Sequence, residues 1–191
     1  MRRVVILLFD DVEVLDFAGP FEVFAVTGQI NTPCPFEVTT VSERGGMITA
    51  RNGLRVETLP FADAKPDVLV IPGGQGTRPL LNHAPVIDWI RRTSQSAELT
   101  LSVCTGALLL GRAGLLDGLS ATTHHLAMEE LRKAAPAATV RPGERIVDNG
   151  RIVTSAGVAA GIDASLHCVS RLLGSETALR TAEYIEYPWK S

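Results

Sequence analysis

The architecture of this chain depends on one run near its middle, Leu99-Thr100-Leu101-Ser102-Val103-Cys104-Thr105-Gly106-Ala107-Leu108-Leu109-Leu110. The first half of the run is short, apolar and β-prone, and the second half is a turn of small residues that leads into a helical apolar segment. Cys104 therefore lies where a strand ends and a helix begins. Backbone N–H groups of the first helical turn would point toward its sulfur, and the helix dipole would favour the thiolate. The pattern predicts a cysteine nucleophile elbow. The alternative is a buried, inert cysteine in a core strand.

Strands and helices alternate along most of the chain. Continuous apolar runs at residues 4–9 and 67–71 are typical of strands buried on both faces of a parallel sheet. The sequence therefore predicts one α/β domain over residues 1–191, a flavodoxin-like sandwich with a mostly parallel central sheet and helices on both faces. Further predicted elements are a strand at 36–41, hairpins around Asn52-Gly53 and Asn149-Gly150, helices at 83–96 and 126–135, a short strand or turn at 120–125, and a long amphipathic helix from Val158.

The composition fits a compact globular protein. Hydrophobic residues make up 46% of the 191 residues, and the mean hydropathy is +0.18. Acidic residues exceed basic ones, 21 against 18, so no overall positive field favours nucleic acid or an anionic membrane. No apolar run approaches the ~20 residues that a membrane-spanning helix needs. Acids at positions 10, 11 and 13 end the first apolar run too early for a signal peptide, which predicts a cytoplasmic protein.

Neither the cysteines nor the histidines predict a metal site. Cys34, Cys104 and Cys168 give neither a CxxC pair nor a metal-ligand spacing. His124 and His125 are adjacent, which is a poor arrangement for chelation on a strand or on a helix. No carboxylate or cysteine nearby in the sequence completes a ligand set. We therefore expect neither a metal nor a cofactor.

Three features are expected at the edge where the parallel strands end, which is where ligands gather in such sheets. Asp16 follows the first strand, Gly73-Gly74 follow the strand at 67–71, and Cys104 follows the central run. A carboxylate, a pair of free N–H groups and a thiol amount to an acid/base, an oxyanion site and a nucleophile. Pro20 is expected at the first position of a helix, which places Asp16 in the loop before it. Asp16 could therefore also be a helix cap or a solvated acid.

Several stretches make the chain recognisable. In order and spacing they resemble the ThiJ/PfpI superfamily, whose fold is like that of class I glutamine amidotransferases, and within it the isonitrile hydratases. Similar stretches occur in the N-terminal domains of AraC-type transcriptional regulators. The matching stretches are Leu15-Asp16-Phe17-Ala18-Gly19-Pro20, Ile71-Pro72-Gly73-Gly74, Ser102-Val103-Cys104-Thr105-Gly106-Ala107, Ala121-Thr122-Thr123-His124 and Gly161-Ile162-Asp163.

The resemblance implies roles for individual residues. Cys104 matches the nucleophile, and Asp16 matches the acid that hydrogen-bonds it. Many relatives have Glu at that position, and Asp is the hydratase-like choice. The N–H groups of Gly74 and Thr105 match the anion-binding site. His124 matches a histidine that lies near the cysteine in some relatives, and a purely structural role for it stays open. PfpI-type peptidases carry His directly after the cysteine, so Thr105 disfavours a protease.

The function implied by this resemblance is that of a cysteine-dependent hydro-lyase that adds water to an isonitrile and releases an N-formamide. A Cys104 thiolate would attack the terminal carbon, and a protonated Asp16 would donate to the developing carbanion. Water would then hydrolyse the thioimidate, with Thr105 positioning the water or the acid. Two alternatives stay open: a ligand-sensing protein related to the regulator domains, and a glyoxalase-like or deglycase-like enzyme. The expected partners are a small-molecule substrate and a second copy in a homodimer, with neither nucleic acid nor membrane.

Overall fold

The structure is a computed structural model that describes residues 1–189. Its strands carry most of the buried apolar runs of the sequence. They are β1 (Arg2–Leu7), β2 (Phe36–Ser42), β3 (Gly46–Thr49), β4 (Arg55–Pro60), β5 (Val68–Ile71), β6 (Leu99–Val103), β7 (Ser120–Ala121), β8 (Thr139–Val140), β9 (Ile146–Asp148) and β10 (Ile152–Ser155).

Helices connect most of the parallel strands. They are α1 (Val14–Ile30), α2 (Thr77–Leu80), α3 (Ala84–Ser96), α4 (Gly106–Arg112), α5 (Met128–Ala134), α6 (Ala160–Leu173) and α7 (Ser175–Tyr184), with 3₁₀ turns at Arg51–Gly53, Phe61–Asp63 and His125–Ala127. In the part of the chain that the structure describes, no helix is long and apolar enough to cross a membrane.

The central sheet has the strand order β3-β4-β2-β1-β5-β6-β10-β9. The six inner strands run parallel, whereas β3 and β9 pair antiparallel at the two edges. From β1 the chain moves to β2 on one side, and from β5 it moves to β6 on the other. Because such crossovers are right-handed, α1 and α3 cover opposite faces. The mostly parallel α/β sandwich that the sequence predicted is therefore confirmed.

The core lies on both faces of the inner strands. Every side chain of β5 is buried, and Val4, Ile6 and Leu101 are fully buried in the neighbouring strands. A strand flanked by helices on both faces has no solvent-exposed side, which explains why these runs are continuously apolar rather than alternating. The same packing brings the carboxyl ends of β1, β5 and β6 to one edge of the sheet.

Helix α1 begins at Val14, so the prediction that it begins at Pro20 is wrong. The loop after β1 is short because it is tied to the loop after β5: Val12 bridges Gly74, and the Glu13 N–H donates to the Gly73 carbonyl at 2.9 Å. The chain therefore enters the helix at once, and Asp16 lies in its first turn. Pro20 lies inside the helix, where its missing N–H leaves the carbonyl four residues earlier without a helical partner.

Three other boundaries also differ from the predictions. Helix α6 begins at Ala160, because Val158 has a φ of 52° and cannot belong to a right-handed helix. The stretch 120–125 contributes only β7, which pairs with β8 in a separate two-stranded sheet. Helix α5 begins two residues later than predicted, after a 3₁₀ turn. The two hairpins and helix α3 agree with the prediction within a residue or two.

Replacing Gly106 by alanine tests how tightly α4 packs against β5. Helix propensity alone would make this change stabilising by about 1 kcal/mol. A Cβ at Gly106, however, would lie 2.0 Å from the Ile71 carbonyl oxygen, which is backbone and cannot move aside. We therefore expect Gly106→Ala to lower the free energy of unfolding by about 1–3 kcal/mol in urea titrations. A more stable variant would contradict this packing.

Candidate active site

Cys104 occupies the turn between β6 and α4. Its φ of 56° lies in the left-handed region, which is unfavourable for most residues and clusters at functional sites. The turn is held on both sides, because the Cys104 N–H donates to the Ala156 carbonyl at 3.1 Å and the Cys104 carbonyl accepts the Thr123 hydroxyl at 2.8 Å. The Thr105 N–H hydrogen-bonds the thiol. This is the elbow geometry that the sequence predicted.

Asp16 lies fully buried beside that turn. Its Oδ2 accepts the Gly73 N–H at 3.0 Å. The Cys104 thiol hydrogen-bonds the same carboxyl group. The other oxygen, Oδ1, has no partner of ordinary hydrogen-bond geometry among residues 1–189. A buried carboxyl with so few partners is costly to ionise, and it is neither a solvated acid nor the N-cap residue of α1.

Burial shifts both groups of this pair in the same direction. It raises the pKa of Asp16 to about 7, although hydrogen bonds from the Cys104 thiol and the Gly73 N–H offset part of the effect. Burial and the charge of Asp16 raise the pKa of the Cys104 thiol to about 12. The predicted preference for the thiolate is therefore wrong, since α4 has only seven residues and burial outweighs its N-terminal N–H groups. Just above pH 7 the pair is a thiol hydrogen-bonded to a carboxylate, and the two groups share one proton.

The Gly73–Gly74 loop holds the pair from the side of β5. A Cβ at Gly73 would lie 2.5 Å from the Thr105 nitrogen and 2.9 Å from Asp16 Oδ2, so only glycine fits there. The Gly74 N–H donates to the Thr105 hydroxyl at 2.9 Å. Both N–H groups that the sequence predicted to be free for an anion are thus already engaged. In this structure the loop positions the acid and the residue after the cysteine.

Val158 is a site residue that the sequence analysis placed in a helix. Its backbone lies close enough to Asp16 and Cys104 to lower the pKa of each group. A β-branched residue at a φ of 52° is a genuine outlier, and no local pattern in the sequence predicts it. The strain is maintained by the packing that follows, since Ala160 and Ala164 of α6 are fully buried. Val158 therefore completes the set of backbone groups around the pair.

His124 lies at the same cavity as Cys104. Its Nδ1 accepts the Leu126 N–H at 3.2 Å, so the neutral ring carries its proton on Nε2. Burial lowers the pKa of His124, and the charges of His125 and Arg78 lower it further. The ring is therefore neutral at pH 7. It lines the same cavity as Cys104, the residue that the resemblance placed near it. Its hydrogen bond to the Leu126 N–H gives it a structural role as the cap of the 3₁₀ turn.

The cavity at this site has a volume of about 220 Å³. That is below the ~300–1,000 Å³ of usual ligand pockets, so it suits a molecule of few atoms. Sequence reasoning missed its charged residues, because Glu13, Arg51 and Arg78 come from three separate loops and elements. The lining comprises Glu13, Arg51, Gly74, Gln75, Arg78, Cys104, Thr105, His124, Leu126, Ala127 and Val158.

The donor set at the cavity does not suit a metal ion. Within residues 1–189 no three His, Cys, Asp or Glu side chains lie close enough together to hold one. The two arginines at the cavity would repel a cation.

Fold and site together define a class, the flavodoxin-like α/β proteins with a cysteine and a carboxyl paired at the elbow. The chain belongs to the DJ-1/PfpI family, whose sequence profile matches residues 2–171. It is 37% identical to the isonitrile hydratase of Pseudomonas putida over 95% of this chain and 76% of that protein. A solved structure of a THiJ/PfpI family protein from Pseudomonas syringae matches with a TM-score of 0.88 at 27% identity, covering 100% of this chain and 76% of the other. The predicted ThiJ/PfpI resemblance is thus confirmed.

Regulators also match this chain. The HTH-type transcriptional regulator GbdR of Pseudomonas aeruginosa is 27% identical over 183 residues, which cover 95% of this chain. They cover 49% of the regulator, so the chain spans about half of that relative's length.

Replacing Asp16 by asparagine measures the cost of its buried charge. The folded-state pKa of Asp16, about 7, lies above its usual 3.8. Wild type therefore loses stability relative to Asp16→Asn as the pH rises from about 4 to 7, by roughly 1.4 kcal/mol for each pH unit. Below pH 4 both side chains are neutral and the difference is constant. Urea titrations at pH 4.5, 6 and 8 measure it.

The matched control for this titration is Asp63→Asn, since Asp63 is exposed. Its difference from wild type should not follow this pH profile. A difference between wild type and Asp16→Asn that is independent of pH would show that folding does not raise the pKa of Asp16.

Proposed function

We propose that this protein is an isonitrile hydratase, which converts R–N≡C and water into the N-formamide R–NH–CHO. The observation that carries the proposal is the buried Asp16–Cys104 pair beside a small cavity, where burial raises the pKa of Asp16 to about 7. An isonitrile carbon must receive both a nucleophile and a proton. The 37% sequence identity with the isonitrile hydratase of Pseudomonas putida supports the same assignment.

The first half of the reaction consumes the shared proton. The Cys104 sulfur attacks the terminal isonitrile carbon, and its S–H proton passes to the Asp16 carboxylate, which delivers it to the same carbon. A C–S bond and a C–H bond form while the S–H bond breaks, which gives the thioimidate R–N=CH–S–Cys104. Asp16 with a pKa of about 7 can both accept and donate this proton at neutral pH.

The second half hydrolyses the thioimidate. Water attacks the thioimidate carbon, and one of its protons moves to the nitrogen. The C–S bond then breaks, the formamide leaves, and the remaining proton returns through Asp16 to the sulfur. The pair is thus restored with its one proton and no external acid or base is consumed.

Thr105 acts as a positioning residue in this proposal. Its hydroxyl accepts the Gly74 N–H at 2.9 Å and lies 3.2 Å from the Gly74 carbonyl, to which it donates. The adjacent Gly73 N–H holds Asp16. Thr105 thereby fixes the loop that orients Asp16. This role requires a hydroxyl, because the group must both accept and donate a hydrogen bond.

Turnover of Asp16→Asn tests the proposed mechanism. The amide keeps the shape and removes the titratable proton, so formamide production should fall by about 10²–10⁴-fold. Cys104→Ala should abolish turnover. Thr105→Val, which removes the hydroxyl and keeps the shape, should fall between Asp16→Asn and wild type. The assay uses two isonitriles, p-nitrophenyl isocyanide and the smaller methyl isocyanoacetate, and measures the formamide.

Cys34→Ala and Asp63→Asn are the matched controls, because both side chains are exposed and lie outside the cavity. Thermal melts check that each variant is folded. Near-normal turnover by Asp16→Asn would remove the acid from the mechanism. If wild type converts no isonitrile, the result would favour the ligand-sensing alternative that the similarity to GbdR suggests. A parallel assay with methylglyoxal as the substrate tests the glyoxalase alternative.

We also propose that the protein is a homodimer. Leu15 and Phe21 of α1 and Met47 and Leu54 of the hairpin are exposed. The loop that leads into α1 is tied to the hairpin, because the Asp11 N–H donates to the Thr49 carbonyl. Exposed apolar groups so placed are typical of an interaction surface. The apolar face of α6, in contrast, is used in the core.

Light scattering should therefore give a mass of twice 20.4 kDa. Met47→Glu should shift the mass toward the monomer, because a charge would be buried in the interface. Leu179→Glu changes an exposed leucine on α7 and should leave the mass unchanged. A mass of 20.4 kDa for wild type would contradict the dimer.

A further inference from the structure

Arg51 lies at the mouth of the reaction cavity, and its guanidinium is only weakly paired. It lines the cavity, and its side chain is 37% exposed. Within residues 1–189 its side chain makes no hydrogen bond, and its one ion pair joins Nε to Glu13 Oε2 at 3.4 Å. A partly exposed pair without a hydrogen bond contributes little to stability, so the guanidinium can exchange it for a better-matched anion.

The backbone of Arg51 is nevertheless fixed. Its N–H donates to the Val12 carbonyl at 2.9 Å, and the 3₁₀ turn that it begins closes with a hydrogen bond from the Gly53 N–H to the Ala50 carbonyl. The hairpin tip is thus anchored to the loop that leads into α1 and Asp16. A planar fork of donors on a fixed backbone is suited to a carboxylate.

The other arginine of the cavity differs in this respect. Arg78 pairs with both oxygens of Glu130 at 2.9 and 2.8 Å and donates to the Gly74 carbonyl at 3.0 Å. Its hydrogen bonds hold the Gly74 loop to α5, so it is a structural cation. Its charge is still felt in the cavity, since it lowers the pKa of His124 by more than Glu13 raises it.

We propose that the substrate of this site is a small isonitrile that carries an anionic group, and that Arg51 is the side chain that binds this group. The inference rests on the proposed function, because it names the substrate class of the same cavity. The cavity of about 220 Å³ has few apolar lining residues, of which Leu126 is largely exposed. A bulky apolar isonitrile would find little surface there, whereas a short one with a carboxylate would meet both the thiol and the guanidinium.

A first experiment tests the anion site without relying on turnover. Iodoacetate and iodoacetamide alkylate the same sulfur and differ in charge, so the ratio of their rates at Cys104, read by peptide mass, reports the preference for an anion. In Arg51→Gln this ratio should fall by about three- to thirtyfold relative to wild type. Arg51→Lys should lie between the two, because it keeps the charge and loses the fork.

Arg55→Gln is the matched control. It removes the same charge from the same hairpin, and its side chain is exposed and outside the cavity. Its ratio should stay within twofold of wild type. An unchanged ratio in Arg51→Gln, or an equal fall in Arg55→Gln, would overturn the role of Arg51, since the latter would reflect only the general field of the hairpin.

A second experiment tests the substrate class. Isocyanoacetate and its methyl ester present the same isonitrile with and without the charge. Wild type should have a kcat/KM about tenfold higher for the acid, and Arg51→Gln should lose this preference because its KM for the acid rises more than its KM for the ester. Turnover of the ester without any preference for the acid would overturn the inference and leave the proposed function standing. If wild type consumes no isonitrile at all, the proposed function and the substrate class both fall, and the alkylation ratio alone decides whether the cavity binds anions.

Discussion

The hydrogen bond from the Gly73 N–H to the buried Asp16 carboxyl is the contact on which the site depends. It joins the first turn of α1 to the loop after β5, and the same carboxyl group reaches the thiol after β6. Because Asp16 is fully buried, it has no water to replace these partners. Displacing any of the three loops would leave a buried polar group without its partner, which costs about 1–3 kcal/mol. The requirement to satisfy Asp16 therefore fixes the relative positions of three strand ends.

Backbone strain is concentrated at the same place. Cys104, Val158 and Asp11 are non-glycine residues with positive φ, and Gly74 has a φ of 127°. Such conformations cost about 1–3 kcal/mol each and persist only where the surroundings determine them. Here the surroundings are the buried strands β5 and β6, whose side chains are fully enclosed. The buried core thus stabilises the unfavourable backbone conformations at this edge of the sheet. These conformations bring backbone groups from separate loops to Asp16 and Cys104.

The fold could be predicted because its strands are buried on both faces, which makes their apolar runs continuous and easy to recognise. Cys104 and Asp16 could be placed because each follows such a run. The remaining features depend on tertiary contacts. Helix α1 begins early because its loop is tied to Gly73, and no local pattern carries that hydrogen bond. Val158 adopts a backbone conformation that its β-branched side chain disfavours. The pKa of Cys104 is raised by burial, and only the packed structure shows that burial.

The raised pKa values of Asp16 and Cys104 would protect a nucleophilic cysteine from oxidation while no substrate is bound. A free thiolate is the species that oxidants attack, so a cysteine with a low pKa is exposed to oxidation whenever the site is empty. Here the pKa of Cys104 is raised to about 12 and that of Asp16 to about 7, so the resting sulfur keeps its proton. In the proposed reaction the proton leaves the sulfur only as the C–S bond forms, and the Asp16 carboxylate receives it. A nucleophile activated in this way needs an electrophile whose reacting atom also accepts a proton, and the terminal carbon of an isonitrile meets both conditions.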